Sequence, residues 1–326
     1  MAAARTPAAA LRSDLGTLLA TRHWASALRL FHRQPARSLL LGEVRSRFRG
    51  RGMEFAEVRI YQPGDDIRNI DWRVSARSGG TYTKLFCEER ERPVHILVDQ
   101  RNPMFFGSAG RFKSVLAAEL AAALAWAALA GSDRIGGQII GERAISDIRA
   151  RRNKQTVLRF LHDLNAQCRA LPEAPPADGE HKTLDAALEE CRRLTRPGTA
   201  VFILSDFADF DAGAARTLGR LGRHTDLSLL RIRDPLESAL PAAGSVAISD
   251  GAHKTLVGLN RRLCAAFRQE LEVRQQHLQR AARRARAPLI DISTRDEPRT
   301  LLTRLYGKSL AATALPMRWQ KLRHAS

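Results

Sequence analysis

The sequence predicts a doubly wound, mostly parallel α/β sheet that follows a small N-terminal annex of strands and turns. Three observations support this prediction: short apolar runs recur along the chain, helical patterns separate them, and the first run ends in an acid. Strands that are buried on both faces show such runs, and their alternation with helices is typical of parallel sheets. The chain has 326 residues, 44% of them hydrophobic, which is enough for one large domain and an annex.

The predicted strands and helices alternate through the main part of the chain. Residues 93–99 read Pro-Val-His-Ile-Leu-Val-Asp, the pattern of a buried parallel strand that ends in an acid. Further strands are expected at residues 134–140, 144–148, 200–204, 226–232 and 288–292, and helices at 111–130, 155–165, 184–194, 213–221 and 260–284. The pair Gly136-Gly137 inside a strand predicts a bulge or a close approach of two backbones.

Two stretches interrupt this alternation. Residues 171–180 contain several prolines and a glycine, and such a composition predicts an exposed loop. Residues 234–256 are expected to hold an inserted hairpin that turns near Ser249, Asp250 and Gly251.

The part before residue 92 has a different pattern. Leu18, Leu19, Ala25 and Leu28 recur at roughly helical intervals within residues 17–31, which predicts a docking helix. Residues 53–86 alternate β-branched and aromatic residues with turn signals. We therefore divide the chain into an N-terminal helical segment (1–41), an annex (42–91), a main α/β domain (92–310) and a basic tail (311–326).

The composition of the N-terminal residues and the spacing of the cysteines predict a cytoplasmic protein. Residues 1–12 lack the apolar stretch of a secretory signal, and the most apolar run, residues 114–130, carries Glu119. We therefore expect no membrane span. The four cysteines are scattered without a CxxC pair, which fits neither a disulfide framework nor a zinc site. They are Cys87, Cys168, Cys191 and Cys264.

The charge balance favours partners that carry negative charge. The chain has 53 Lys and Arg against 34 Asp and Glu, a formal net charge of +19. Such a charge attracts acidic protein surfaces and nucleic acids. Nucleic-acid binding is therefore the alternative function. Against it, the dense basic clusters at residues 149–154 and 280–286 contain no aromatic residues on which bases could stack.

Acidic residues follow two of the predicted strands. In open α/β sheets, ligands bind beyond the carboxyl ends of the strands, where Asp99 and Asp206 are expected. Thr183 begins a predicted helix, and its hydroxyl can serve as a cap there. Together these residues resemble the three segments of a von Willebrand factor A domain. That family builds a metal-ion-dependent adhesion site from an Asp-x-Ser-x-Ser loop, a threonine and a second aspartate.

The chain departs from this pattern at both serines. Arg101 and Pro103 stand in their places. Mg²⁺ needs close oxygen ligands, and a guanidinium about 4 Å away opposes each unit of metal charge by roughly 4 kcal/mol at an effective dielectric near 20. We therefore expect a degenerate, unoccupied site at Asp99, Thr183 and Asp206, with Arg101 between the two aspartates and no cofactor. A working Mg²⁺ site is the less favoured alternative.

A second resemblance is more specific. The box comprises Gly50-Arg51-Gly52-Met53-Glu54-Phe55, the run Arg59-Ile60-Tyr61-Gln62-Pro63-Gly64-Asp65-Asp66-Ile67-Arg68-Asn69-Ile70-Asp71-Trp72, Ala76-Arg77 and Glu88-Glu89-Arg90-Glu91-Arg92. It resembles the hallmark of the bacterial domain of unknown function number fifty-eight. The resemblance extends from about residue 42 to 234. It implies a von Willebrand-like domain after the box and a partnership with MoxR-type AAA+ ATPases in the maturation or assembly of other proteins.

The box combines opposite charges with one large aromatic residue. Pro63 and Gly64 predict a turn. The charges and the aromatic residue are Arg59, Asp65, Asp66, Arg68, Asp71, Trp72, Arg73 and Arg77. Arginine suits bidentate pairing with carboxylates, so this set is interpreted either as a structural network that staples the annex or as a recognition surface. The staple is the preferred reading, and it predicts that Arg68 is buried.

No motif in the sequence indicates catalysis. The nine histidines form no HExxH or triad spacing, and the chain has no GxxxxGK loop. Aspartates surrounded by arginines stay ionised and make poor general acids. We therefore expect a non-catalytic protein-binding adaptor. Its contact surface is either the annex or the carboxyl-end face, with Asp99, Arg101, Thr183 and Asp206 at the centre of that face.

Overall fold

The computed structural model describes residues 13–31, 53–63, 65–88, 92–108, 110–169, 182–238, 240–241, 244–249 and 254–307. The chain forms two compact units, one comprising Phe31–Arg92 and the other the residues on either side of it. The annex lies within the smaller unit. The main domain and the first 30 residues belong to the larger one. The predicted loop at 171–180, the turn at Asp250 and Gly251, and the tail at 311–326 lie outside the described residues.

The strands of the chain form three sheets. In chain order they are β1 (Met53–Ile60), β2 (Tyr82–Glu88), β3 (Pro93–Asp99), β4 (Arg134–Ile140), β5 (Ile145–Arg151), β6 (Ala200–Ser205), β7 (Asp226–Arg233), β8 (Gly244–Ser249), β9 (Lys254–Leu259) and β10 (Leu289–Ser293). The main sheet has the order β10-β7-β6-β3-β4-β5. Its neighbours pair in parallel except β4 and β5, which are antiparallel. The predicted doubly wound, mostly parallel sheet is confirmed.

The helices cover both faces of this sheet. In chain order they are α1 (Leu15–Ala20), α2 (Arg22–Ala25), α3 (Trp72–Ser78), α4 (Lys113–Ala130), α5 (Lys154–Arg169), α6 (Leu184–Leu194), α7 (Ala212–Leu221), α8 (Pro235–Ser238), α9 (Arg261–Arg284) and α10 (Pro298–Tyr306). Helices α4 and α5 pack on one side. Helices α6, α7 and the second half of α9 share a core with the other side.

Helix α4 is the central helix of the main domain. It is apolar all round and is buried against β3 and α5, with α1 and α2 packed on it. Among the described residues it is the one helix that is long and apolar enough to cross a membrane, and 83% of it is buried inside the protein. Such burial is that of a core helix, which accounts for its composition without a membrane.

The glycine pair in β4 permits a close approach of backbones. A Cβ on Gly137 would lie 2.5 Å from the carbonyl oxygen of Ile96, and one on Gly136 would lie 2.7 Å from the backbone of Ala150. The register between β4 and β5 also shifts between Ile135 and Gly137. The predicted bulge and close approach are both present.

The annex contains a helix that the sequence did not predict. Strands β1 and β2 pair in an antiparallel hairpin, and helix α3 lies between them in the sequence. Asp71 caps α3 by accepting hydrogen bonds from the backbone N–H groups of Arg73 and Val74, and Gly79 ends it with a left-handed φ of 67°. The expectation of strands and turns alone was wrong here, because the aromatic Trp72 favoured a strand reading while the capping signal at Asp71 decided the local structure.

Candidate functional site

The polar centre of the main domain lies where the strand order reverses. The chain leaves β3 for β4 on one side and places β6 on the other, so this is the position at which ligands usually bind in such sheets. β3 ends at Asp99, which is 1% exposed, and the neighbouring β6 ends at the fully buried Ser205. The Ser205 hydroxyl donates a hydrogen bond of 2.7 Å to Asp99 Oδ2.

Arg101 occupies this centre and uses all five of its N–H donors. Its Nε and Nη2 donate to Asp99 Oδ1 and Oδ2 at 2.9 and 2.6 Å. Its Nη1 and Nη2 donate to Asp209 Oδ2 and Oδ1 at 2.5 and 2.9 Å. The remaining Nη1 donor reaches the Lys182 carbonyl oxygen at 3.0 Å. A guanidinium held by two bidentate carboxylates is the strongest form of this interaction.

Burial and pairing together determine the protonation state of this centre. Burial on its own would lower the pKa of Arg101, but the hydrogen bonds and charges of Asp99 and Asp209 raise it above its ordinary value. Burial would likewise raise the pKa of Asp209, but the guanidinium of Arg101 lowers it below its ordinary value, with help from the Leu184 N–H. Arg101 and Asp209 are therefore both charged at neutral pH, and with Asp99, which pairs with the same guanidinium, they form an ion triad.

These residues do not fit a divalent metal ion. Both carboxylates already accept two hydrogen bonds each from the guanidinium, and the Ser205 hydroxyl also donates to Asp99. Mg²⁺ would have to displace these donors and approach a fixed positive charge. Among the described residues, no group of three or more His, Cys, Asp or Glu side chains could hold a metal. Arg101 supplies the positive charge that balances Asp99 and Asp209 in this centre.

The other residues of the expected metal site have local structural roles. The exposed Thr183 caps α6, where its Oγ1 accepts a 3.2 Å hydrogen bond from the Ala186 N–H. Pro103 lies in a 3-10 turn, Asn102–Met104. In the same turn the Asn102 N–H donates to Glu142. Neither Thr183 nor Pro103 contacts the guanidinium of Arg101 through a hydrogen bond.

The second aspartate of the centre is Asp209, and the prediction of Asp206 in this position is wrong. Phe207 has a left-handed φ of 57°, a conformation that costs a non-glycine residue about 1–3 kcal/mol. Its N–H donates to the Ser205 hydroxyl at 2.9 Å, which holds this turn against the end of β6. The turn directs Asp206 away from Arg101 and brings Asp209 to it. A positive φ at a phenylalanine has no signal in a single sequence.

Asp206 instead pairs with a buried lysine. Lys113, at the start of α4, is 1% exposed, and its ammonium lies 2.7 Å from Asp206 and 2.5 Å from Glu237. Burial on its own would lower the pKa of Lys113, but these two carboxylates raise it above its ordinary value. No role was predicted for Lys113, because a lysine that opens an apolar helix normally points to solvent.

A second buried aspartate lies beyond the end of β7. Asp234 is fully buried and accepts hydrogen bonds from the backbone and hydroxyl of Ser108, from the Leu236 N–H and from the Thr294 hydroxyl. Burial would raise its pKa, but these donors lower it below the ordinary value. Asp234 ties the loop before α4 to the chain after β10. No role was predicted for Asp234, although its position directly after a buried strand and before Pro235 is a local signal that could have indicated one.

The acidic residues of the annex act locally. Asp65 pairs with Arg59 at 2.6 Å and also accepts the Gln62 N–H, so it closes the turn after β1. Asp66 accepts the Arg68 N–H and caps a 3-10 turn, Ile67–Asn69. Asp71 caps α3 and lies 3.5 Å from Lys84.

Arg68, Arg77 and Trp72 of the same box are exposed. The preferred interpretation of the box as a buried staple is therefore wrong for these three residues. The acids bind the backbone of their own turns because short Asp side chains compete well for nearby N–H groups. The long arginine and tryptophan side chains are left facing solvent.

Comparison with known proteins places the chain in a family. The family model described as "Protein of unknown function DUF58" matches residues 57–282. The chain belongs to this family. Uncharacterized proteins of Mycobacterium bovis and Mycobacterium tuberculosis are each 28% identical to it over 275 residues, which cover 83% of this chain and 84% of each relative. The resemblance inferred from the box is confirmed.

Solved structures show a more distant likeness. The conserved hypothetical protein BatB from Bacteroides thetaiotaomicron aligns with 65% of this chain and 96% of its own, with a TM-score of 0.43 and 12% identity. The VWA domain of SpRpn10 aligns with 68% of this chain and 100% of its own, with a TM-score of 0.34 and 13% identity. The family match and the sheet topology, rather than these alignments, define the fold.

Proposed function

We propose that this chain is a non-catalytic, cytoplasmic protein-binding adaptor that works with a MoxR-type AAA+ ATPase in the maturation or assembly of other proteins. Membership of the DUF58 family, with its von Willebrand factor A-like domain, suggests a role in protein interaction. The ATPase partner comes from the resemblance of the box. Cys168, Cys191 and Cys264 are free thiols and are buried, which suits a reducing compartment.

The observation that carries the proposal is the closed state of the polar centre. A catalytic centre at the strand ends would need a carboxylate that is accessible and able to change its protonation state. Asp99 and Asp209 instead accept four hydrogen bonds from the Arg101 guanidinium, and Asp206 pairs with the buried Lys113. These three carboxylates form ion pairs with Arg101 and Lys113. This arrangement favours a binding role for the chain over a catalytic one.

The direct experiment is to mix the purified full chain with the purified MoxR-type ATPase of the same bacterium. Size-exclusion chromatography with light scattering, with and without ATP, should detect a complex of defined stoichiometry. Isothermal titration should give a dissociation constant in the micromolar range or tighter, the range of specific interfaces. The absence of a complex in every nucleotide state would contradict the ATPase partnership.

Nucleic-acid binding remains the alternative, and one surface favours it. The first half of α9 is largely exposed and carries Arg261, Arg262 and Arg268 on its surface. Binding through such residues is dominated by phosphate contacts, so affinity must fall steeply as salt rises. A labelled oligonucleotide that binds at physiological salt with a steep salt dependence, together with no binding to the ATPase, would replace the adaptor proposal.

A further inference from the structure

The annex exposes three large apolar side chains close together in the sequence. Ile60 is 66% exposed, Ile67 66% and Trp72 71%. Single exposed apolar residues are ordinary on protein surfaces, but a group of them rimmed by polar residues marks an interaction site. Tryptophan and arginine are also the residues most enriched at the centres of protein interfaces.

The backbone holds this group together around strand β2. Ile60 pairs with Tyr82 across the hairpin, and on the other side of β2 the Asp71 N–H donates 2.8 Å to the Tyr82 carbonyl oxygen. Neighbouring strands lie about 4.8 Å apart, so the backbones of Ile60 and Asp71 are separated by about 10 Å. Trp72 opens the helix and Ile67 opens the 3-10 turn that contact β2, so the backbones of all three residues lie beside this strand.

The charged residues around this group are arranged by sign. The acids Asp65, Asp66 and Asp71 accept hydrogen bonds from the backbone N–H groups of their own turns. In contrast, Arg68, Arg73 and Arg77 are exposed, and none of the three pairs with a carboxylate among the described residues. Among these residues the exposed charges are therefore three arginines and Asp66, so the rim of the apolar group carries a net positive charge.

We propose that this surface, defined by Ile60, Ile67, Trp72 and the arginines 68, 73 and 77, is a docking site for an acidic amphipathic segment of a partner protein. The inference rests on the proposed protein-binding function and names its surface and the chemistry of its partner. The apolar face of the segment covers Trp72 and the two isoleucines. Its carboxylates pair with the exposed arginines. The aliphatic isoleucines distinguish this occupant from single-stranded nucleic acid, which needs flat aromatic platforms.

A designed peptide tests the chemistry without the ATPase. The probe is a fluorescein-labelled 18-residue amphipathic helix with leucines on one face and glutamates on the other. We expect anisotropy to show saturable binding to the full chain at about 0.15 M salt. Trp72→Ala should weaken binding at least about tenfold, as removal of an interface hot spot does. The double change Arg73→Glu with Arg77→Glu should weaken it similarly, and a peptide with lysine in place of glutamate should not bind.

Matched controls lie in the main domain. Leu256 is 70% and Val273 58% exposed, so Leu256→Ala and Val273→Ala remove similar apolar surface outside the annex. The exposed Arg159 on α5 offers the charge control Arg159→Glu. All three variants should bind the peptide like the parent. Trp72→Ala should also keep the melting temperature of the parent to within about 1 °C, as expected for an exposed side chain.

Several results would overturn the proposal. One is no binding of the acidic peptide by the parent chain, and another is equal binding by the annex and control variants. A large loss of stability in Trp72→Ala would mean that the chain covers this surface itself. Tighter binding of a labelled dT20 oligonucleotide, lost in Trp72→Ala, would assign the surface to nucleic acid. If the chain binds the peptide but not the ATPase, only the proposed ATPase partner is contradicted. If the annex variants bind the ATPase like the parent, this surface is not the docking site for the ATPase.

Discussion

The main domain and the annex use the same two residue types in opposite ways. At the carboxyl end of the main sheet, Arg101 is 7% exposed and is enclosed by Asp99 and Asp209. In the annex, Asp66 and Asp71 cap their own turns, while Arg68 faces solvent. A dense run of opposite charges in sequence therefore does not imply a network, whereas a lone arginine after a buried strand can be at the centre of one.

Burial explains this difference. A charge that is taken out of water must find compensating partners, so Arg101 pairs with its neighbour Asp99 and with Asp209, which lies more than a hundred residues away in the sequence. The hairpin of the annex is too small to exclude water from its arginines, and a solvated guanidinium gains little from pairing. The comparison predicts large mutational effects at Arg101 and small ones at Arg68.

The largest effect is expected from Arg101→Ala. This change leaves the buried Asp99 and the partly exposed Asp209 without a compensating cation, which should lower the free energy of unfolding by about 3–5 kcal/mol. Urea unfolding measures it. Arg101→Lys keeps the charge without the bidentate fork and should recover part of the loss, and Arg159→Ala on the surface of α5 serves as the control. A variant as stable as the parent would mean that the triad contributes no stability.

The next effect is a response to metal ions that the parent should lack. In Arg101→Ser with Pro103→Ser, the oxygens of Asp99, Asp209 and Ser205 lose their fixed cation and gain hydroxyl neighbours. We expect Mn²⁺ or Mg²⁺ to stabilise this variant, by about 2.7 kcal/mol at a hundredfold excess over the dissociation constant. The parent should show no change in melting temperature. A stabilised parent would contradict the role of Arg101 as the built-in cation.

Asp206→Ala tests the second ion pair of the main domain. The change leaves Lys113 with Glu237 as its remaining carboxylate partner, so we expect a loss of about 2 kcal/mol in the free energy of unfolding. Glu237→Ala is the matched variant, since that carboxylate is more exposed and should matter less. If Asp206→Ala kept the stability of the parent but lost the ATPase, the carboxyl-end face would be the contact surface.

The elements of the main domain could be predicted closely from the sequence, but the partners of its charged residues could not. β3, β4 and α6 have the bounds that their apolar patterns indicate, because periodicity reflects burial directly. The choice of Asp209 over Asp206 depends on the positive φ of Phe207, and the burial of Lys113 depends on carboxylates from two other elements. Neither leaves a local pattern. In the annex, the dense run of opposite charges suggested that its arginines are buried, but Arg68 and Arg77 are exposed.

Acid should weaken the main domain through its paired carboxylates. Because the folded-state pKa of Asp209 lies below its ordinary value of 3.8, its contribution to stability is present above that value and is lost as the pH falls below it. One such group changes the free energy of unfolding by at most about 1.4 kcal/mol per pH unit. Urea unfolding between pH 5 and about 2.5 should show a shallower slope for Asp209→Asn. The surface variant Asp163→Asn should keep the slope of the parent.

The smallest effect is expected from Arg68→Ala in the annex. An exposed arginine without a carboxylate partner among the described residues contributes little to folding, so the free energy of unfolding should change by less than about 0.5 kcal/mol. Unfolding of this variant and of Arg101→Ala under the same conditions compares the stability contributions of an exposed and an enclosed guanidinium in one protein. A loss above about 2 kcal/mol would mean that Arg68 is enclosed in solution and would restore the staple. An unchanged stability with weaker binding of the acidic peptide would assign the arginine to the docking surface instead.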